Sequence, residues 1–202
     1  MRAVVFDVGN VLYYWDPRAL YRQLIADDAS LDHFLATVVT EEWHFQHDAG
    51  RPFAETSAEL IQQFPDHRAL IAAWAPRFDE TITGPVAGML ELVDELAQSD
   101  VPLFAITNFS AEFWPPFRAK RASVFNQFRD VVVSGDERVA KPDPRIYRLA
   151  LRRFGLTAND ALFLDDKQAN VDAACENGFI GHHFTSVERA RAALIAHGVL
   201  AA

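Results

Sequence analysis

The sequence predicts an α/β protein built on an open parallel sheet with helices on both faces. Short apolar runs recur along the chain, and helical patterns separate the later ones. Polar residues follow several of these runs directly, at the strand ends where open parallel sheets place their ligands.

At 202 residues, half of them hydrophobic, the chain can bury a sizeable core and is expected to form one domain with an insertion. A formal net charge of −9 argues against a broad basic surface for nucleic acid or an anionic membrane. It leaves room for a small phosphorylated substrate, which local charge would hold. The single cysteine, Cys175, excludes an intrachain disulfide and falls in an apolar helical pattern that predicts core packing. No apolar run reaches the roughly 18 residues of a membrane span, and no charged-then-apolar leader precedes Val4, so a soluble cytoplasmic protein is expected.

The first strand is expected at 3–6, where Ala-Val-Val-Phe lacks polar alternation and suits burial on both faces. Four more are expected at 102–106, 131–133, 161–164 and 179–183, the last diluted by Gly181 and two histidines. Gly84-Pro85 opens a helical pattern at 86–96. Asp143 supplies an N-cap and Pro144 the first position of a helix running through Phe154. Ser186 can cap a final helix ending near Gly198. Pro115-Pro116 predicts a turn with a helix beginning at the second proline.

Residues 16–82 break the alternation. They show no convincing strand but several helix signals: Asp16-Pro17 before 18–26, Ser30 before 31–38, and Asp66 before 67–74. A helical cap at 16–82 is therefore expected, inserted into a core of 1–15 and 83–202 and lying over the ligand-facing end of the first strand. Gly50-Arg51-Pro52 and Thr83-Gly84-Pro85 are the hinge candidates.

Four polar groups follow the predicted strands: Asp7, Thr107-Asn108, Lys141 in Ala-Lys-Pro-Asp-Pro, and Asp165-Asp166 with Asn170 beyond. A carboxylate at a strand mouth needs a partner, because an unpaired buried charge is costly or shifts its pKa. A hydroxyl, an amide, an ammonium and three carboxylates suit a magnesium-assisted reaction at a phosphate. Mg²⁺ prefers hard oxygen ligands and takes one or two carboxylates beside phosphate oxygens. A lysine and small polar side chains hold the remaining phosphate oxygens.

These four groups, in this order, resemble the haloacid dehalogenase superfamily over essentially the whole chain, in its phosphatase branch with a small helical cap after the first motif. The Asp7-Val8-Gly9-Asn10-Val11 stretch is similar to the first motif of bacterial sugar-phosphate phosphatases of this superfamily, glucose-1-phosphate phosphatases included. The resemblance implies a Rossmann-like sheet of order 3-2-1-4-5, with Asp7 and Asp166 on adjacent strands. It implies that Asp7 is a nucleophile forming an aspartyl-phosphate, a covalent route that splits one hard displacement into two. It further implies Mg²⁺ held by Asp7, Asp166 and the Gly9 carbonyl. Thr107, Asn108 and Lys141 would hold the phosphoryl group, and Asp165 and Asn170 would brace the metal ligands or reach the metal through water.

One position departs from the pattern. Many phosphatases of this superfamily carry a second aspartate two residues after the nucleophile, to protonate the leaving group; here that residue is Gly9. General acid–base help is worth about 10²–10⁴-fold, so an acidic leaving hydroxyl or a group from the cap would have to replace it. The segment 42–51 is the place to look. If helical, it sets Trp43 and His47 on one face, expected to contact substrate, and His44 and Asp48 on an adjacent stripe. Tyr13, Tyr14 and Trp15 are expected at the seam between core and cap, and His182 and His183 as structural or solvated. Two alternatives stay open: a carbon–halogen hydrolase, which uses the same aspartate without Mg²⁺, and a non-catalytic phosphate-binding module. The substrate is expected to be a small phosphorylated metabolite, first a sugar phosphate; oligomeric state is not legible.

Overall fold

β1 (Ala3–Phe6) is buried at every position and occupies the middle of a five-stranded parallel sheet. The computed structural model describes residues 3–201. The other strands of that sheet are β4 (Leu103–Thr107), β5 (Asp130–Val133), β6 (Ala161–Asp165) and β7 (Ile180–His183). They run in the order β5-β4-β1-β6-β7, which is the expected 3-2-1-4-5. Val5 pairs with Phe104 on one side and Phe163 on the other, so the first strand has neighbours along both edges.

Successive side chains of a strand point to opposite faces, and the two faces have separate cores. Ala3, Val5, Ile106 and Phe163 pack under α11 (Pro144–Phe154) and α12 (Gln168–Glu176) through Ile146, Tyr147 and Ala174. Val4, Phe6, Ala105 and Leu164 pack under α7 (Met89–Gln98) and α13 (Val187–Ala196). That second core continues without a break into the inserted helices through Leu20, Tyr21, Phe34 and Trp74. The inserted helices are α1 (Pro17–Tyr21), α2 (Asp28–Thr37), α3 (Glu41–Asp48), α4 (Phe53–Gln63), α5 (Arg68–Ala72) and α6 (Trp74–Arg77).

Several local expectations are corrected. The cap of α2 is Asp27, whose carboxylate accepts from the Ser30 amide, and not Ser30. The 67–74 pattern is split into α5 and α6, because Pro76 has no N–H to offer the carbonyl four residues back. The helix after Ser110 is α8 (Trp114–Lys120) and starts before both prolines. They sit in its first turn, where the missing N–H groups would have had no helical partner. Cys175 is exposed, since the buried face of α12 is Asn170, Val171 and Ala174, and one residue further turns outward.

The insertion is also joined by strands. β2 (Tyr13–Trp15) pairs antiparallel with β3 (Ile82–Pro85), so both passages between sheet and inserted helices run through one ribbon. Thr83-Gly84-Pro85 is therefore paired backbone rather than a loose hinge. Gly50 is pinned as well: its φ is +92°, and a Cβ there would lie 2.8 Å from the Arg138 side chain and 2.9 Å from the Gly135 carbonyl. Only glycine fits that approach.

Candidate active site

Asp7 follows β1 directly, and its amide donates to the Leu164 carbonyl of the neighbouring strand, which fixes it beside β6. Its carboxylate is buried. Oδ1 accepts from the Val8 amide at 2.7 Å and lies 2.8 Å from Lys141 Nζ. The same ammonium donates to Asp165 Oδ2 at 2.6 Å, so one fully buried lysine bridges two carboxylates. Burial alone would push Lys141 down, but Asp165 and Asp7 outweigh it and hold the ammonium above the ordinary lysine value.

Lys141 is positioned by Asn108. The side chain of Asn108 accepts from the Lys141 amide at 2.8 Å and donates to its carbonyl at 3.0 Å. That amide is spent on the lysine loop, although Asn108 also lines the cavity described below. Thr107, the last residue of β4, is buried and its Oγ1 has no hydrogen-bond partner. An unsatisfied buried hydroxyl costs about 1–3 kcal/mol, so Thr107 is a buried donor without a partner at the end of the strand next to β1.

Asp165, Asp166 and Asp7 have carboxylate oxygens within 4.8 Å of one another. The three are not equivalent. Asp165 is saturated by Lys141, by the Lys167 amide at 2.8 Å and by Asn170 Nδ2 at 2.9 Å. Asp166 is half-buried, bonded to the Asn10 side chain, and faces the cavity with Asp7. Burial, then Asp165, pushes Asp166 up. Burial pushes Asp7 up to about 7, with Lys141 opposing and Asp165 and Asp166 adding to the rise. Mutually repelling carboxylates on one wall fit a divalent cation, which would relieve both. Asp7 and Asp166 have oxygens to give it, whereas Asp165 does not.

Asp7, Asn108, Lys141 and Asp166 face a cavity of about 450 Å³, which Thr107 and Asp165 do not line. Gly9, Asn10, Lys141, Lys167 and Asn170 line its sheet side, and Glu41, Glu42, His44, Phe45 and Asp48 its opposite side. Tyr13, Trp15, Phe78, Phe109 and Phe117 form aromatic walls between them. Tyr13 and Trp15 thus lie at the expected seam and also line the cavity, while Tyr14 is exposed.

Trp43 and His47 do not line it. Both point into the helical insertion, where Trp43 Nε1 donates to the Thr56 carbonyl and His47 Nε2 lies 2.6 Å from Thr56 Oγ1. Trp43 also packs against Trp74 and Phe53. The neighbouring stripe, His44 and Asp48, faces the cavity instead, and Trp15 stacks on His44 with centroids 4.9 Å apart. Burial pushes His44 down to about 3 and His47 to about 4, so both are neutral.

Sequence reasoning assigned no role to Asn10 or Lys167. Asn10 sits at φ +56°, accepts from the Trp15 amide and bonds Asp166, tying the first loop to both the ribbon and the acidic pair. Its place in the Asp-Val-Gly-Asn stretch is the signal that could have marked it, because asparagine tolerates the left-handed region. His183 Nε2 lies 2.9 Å from the Asp166 carbonyl, consistent with a structural role.

A family model for haloacid dehalogenase-like hydrolases matches residues 1–178. The chain is 30% identical over 190 residues to a sesquiterpene phosphatase of Aspergillus oryzae, covering 91% of this chain and 90% of that one. It is 28% identical to a validoxylamine A 7'-phosphate phosphatase of Streptomyces hygroscopicus subsp. limoneus, covering 71% and 69%. A HAD family enzyme of Bacteroides thetaiotaomicron, solved with magnesium and inorganic phosphate, superposes with a TM-score of 0.69 at 17% identity, covering 93% and 96%.

Proposed function

The chain belongs to the haloacid dehalogenase-like hydrolases and is a phosphatase, and from that premise we propose that it hydrolyses phosphomonoesters of a small metabolite through an aspartyl-phosphate on Asp7, with Mg²⁺. The observation that carries this is the arrangement at the strand ends. Asp7, a bridging lysine and a second carboxylate, Asp166, meet on one wall of a cavity, with the buried Thr107 hydroxyl at the end of the adjacent strand.

In the first step an Asp7 oxygen attacks phosphorus and the alcohol leaves; in the second, water attacks and frees phosphate. Lys141 orients Asp7 and neutralises charge on the phosphoryl oxygens, Thr107 Oγ1 donates to one of them, and Asn108 holds the lysine loop. Asp7, Asp166 and the Gly9 carbonyl would hold Mg²⁺, which supplies charge neutralisation at the phosphoryl oxygens. Asp165 and Asn170 brace this set. Residues 16–82 would serve as the cap over a core of 1–15 and 83–202.

The first-motif resemblance favours a sugar phosphate, whose ring can stack on Trp15. The aromatic walls support a second reading, a phosphate on an apolar skeleton, and the named sesquiterpene relative points the same way. Carbon–halogen hydrolysis, which would use the same Asp7, is disfavoured because the Asp165-Asp166 pair without metal would repel halide and an acidic substrate. The test is release of phosphate from a panel of sugar, terpenoid and nucleotide monoesters with and without Mg²⁺. Turnover that needs Mg²⁺ and is lost in Asp7→Asn supports the proposal; Mg²⁺-independent halide release would contradict it.

A further inference from the structure

The position after the nucleophile that would carry a proton donor is Gly9, and the structure shows space there that nothing fills: a Cβ on Gly9 meets no atom within 4 Å. Across the cavity, the last turn of α3 presents Asp48, a carboxyl more than nine-tenths buried yet lining the same space as Asp7. Its Oδ1 has no hydrogen-bond partner, and its Oδ2 is 3.6 Å from His44 Nε2, beyond hydrogen-bonding distance. Among the described residues the Ser110 amide is the one hydrogen-bond donor to this carboxyl, and a buried carboxyl oxygen left without a partner on a cavity wall costs stability unless it has a task.

Resting on the phosphatase reading, we propose that Asp48 is the catalytic proton donor and acceptor of this enzyme, supplied by the inserted helices in place of the side chain that Gly9 lacks. Two anchors fix the carboxyl relative to Asp7. Ser134 Oγ, at the end of β5, donates to the Asp48 backbone carbonyl at 2.6 Å, and Gly50 is seated against Gly135 and Arg138. The acid is therefore carried by the insertion but registered against the sheet.

The surroundings suit a carboxyl that holds a proton at neutral pH. Burial pushes Asp48 up to about 8; Lys167 opposes this, Asp7 adds to it, and Lys141 and the Ser110 amide oppose it weakly. His44, the other titratable group facing it from α3, is held neutral and offers no compensating charge. Proton-transfer catalysis is most efficient when the group's pKa lies near the working pH.

The chemistry balances. As the Asp7 oxygen bonds to phosphorus, the phosphorus–alcohol bond breaks and its electron pair passes to the leaving oxygen, which takes the Asp48 proton. The Asp48 carboxylate then accepts a proton from water while that water's oxygen bonds to phosphorus. The phosphorus–Asp7 bond breaks, returning both side chains to their starting states.

Leaving-group dependence tests this directly. In Asp48→Asn, kcat/KM for an alkyl phosphate should fall about 10²–10⁴-fold, while kcat/KM for p-nitrophenyl phosphate falls less than about tenfold, because nitrophenolate leaves without a proton. The aryl ester should also show a burst of nitrophenolate equal to the enzyme present, since water attack on the intermediate is now slow. Gly9→Asp added to Asp48→Asn should restore much of the alkyl rate. Equal losses on both esters with no burst would overturn the proposal and leave Asp48 a structural tie between α3 and the sheet. Failure of the unaltered enzyme to turn over either ester would instead overturn the phosphatase reading.

Discussion

On the sheet side of the cavity, ionisable groups share partners, although burial still pushes Asp7 up to about 7. Lys141 bridges Asp7 and Asp165, Asn170 and the Lys167 amide complete Asp165, and the lysine loop is clasped by Asn108. On the facing helix α3, the buried titratable groups are neutral, unlike the exposed Glu41 and Glu42 of its first turn: His44 and His47 are held deprotonated by burial, and Asp48 is held protonated. Strand ends gather polar groups from distant parts of the chain, so a compensating charge is always near. The inner face of a short helix packed among Trp15, Trp74 and Phe78 has too little such compensation to offset burial, and its buried ionisable residues stay neutral. The difference separates charge stabilisation from proton transfer and gives each its own wall.

Removing the charge that binds the sheet wall together should have the largest effect. Lys141→Met leaves two buried carboxylates without their cation. We expect turnover to fall by at least about 10²–10³-fold and unfolding free energy in urea to drop by about 3–5 kcal/mol. A variant as stable as the parent would show that the bridge is not what holds this wall.

Asp166→Asn sharpens the division between the three carboxylates. Activity stripped by chelation should return with Mg²⁺ in the parent, and the Mg²⁺ concentration for half-activity should rise about 10–100-fold in the variant. An unchanged requirement would move the metal to other ligands.

The pH dependence of stability tests both walls in metal-free protein. His44 and His47, with folded values near 3 and 4, lower stability as pH falls below 6.5, because only the unfolded chain takes up those protons. Asp7 and Asp48, with folded values near 7 and 8, act oppositely: above about 3.8 only the folded chain keeps those protons, so stability is lost as pH rises. The two pairs offset each other between pH 4 and 6.5. From 6.5 toward 8 the carboxylates act alone and stability should decline, with a slope of at most about 1.4 kcal/mol per pH unit for each proton. Asp48→Asn should flatten this decline and raise Tm at pH 8 by several degrees; an unaltered slope would mean that Asp48 is ionised in the fold.

The smallest effect on catalysis is expected from His47→Gln. Because His47 bonds Thr56 inside the insertion, Tm should fall by a few degrees while kcat changes less than about threefold. A large, selective loss of kcat would put this face back in contact with substrate.

Much of this organisation was legible in the chain. The five strands are apolar runs, and buried parallel strands allow little else, so Asp7, Thr107 and Asp165 were locatable at their ends to within one residue. The internal order of the insertion was not. Trp43/His47 and His44/Asp48 lie about 100° apart on one helix, and either stripe could face outward until tertiary contacts decide. Those contacts, Ser134 to the Asp48 carbonyl and Gly50 against Arg138, come from residues far along the chain. Helix α4 escaped notice because its buried face includes Thr56 and Ser57, which satisfy hydrogen bonds rather than extend an apolar pattern. The ribbon of β2 and β3 is too short, and too rich in glycine and proline, to signal strands.

The central claim is a transient bond between Asp7 and phosphorus. Acid-quenched single turnover followed by peptide mass analysis tests it most directly. The account predicts one phosphoryl group on the peptide containing Asp7, absent in Asp7→Asn; substrate consumed with no phosphoryl group on that peptide at any time would contradict it.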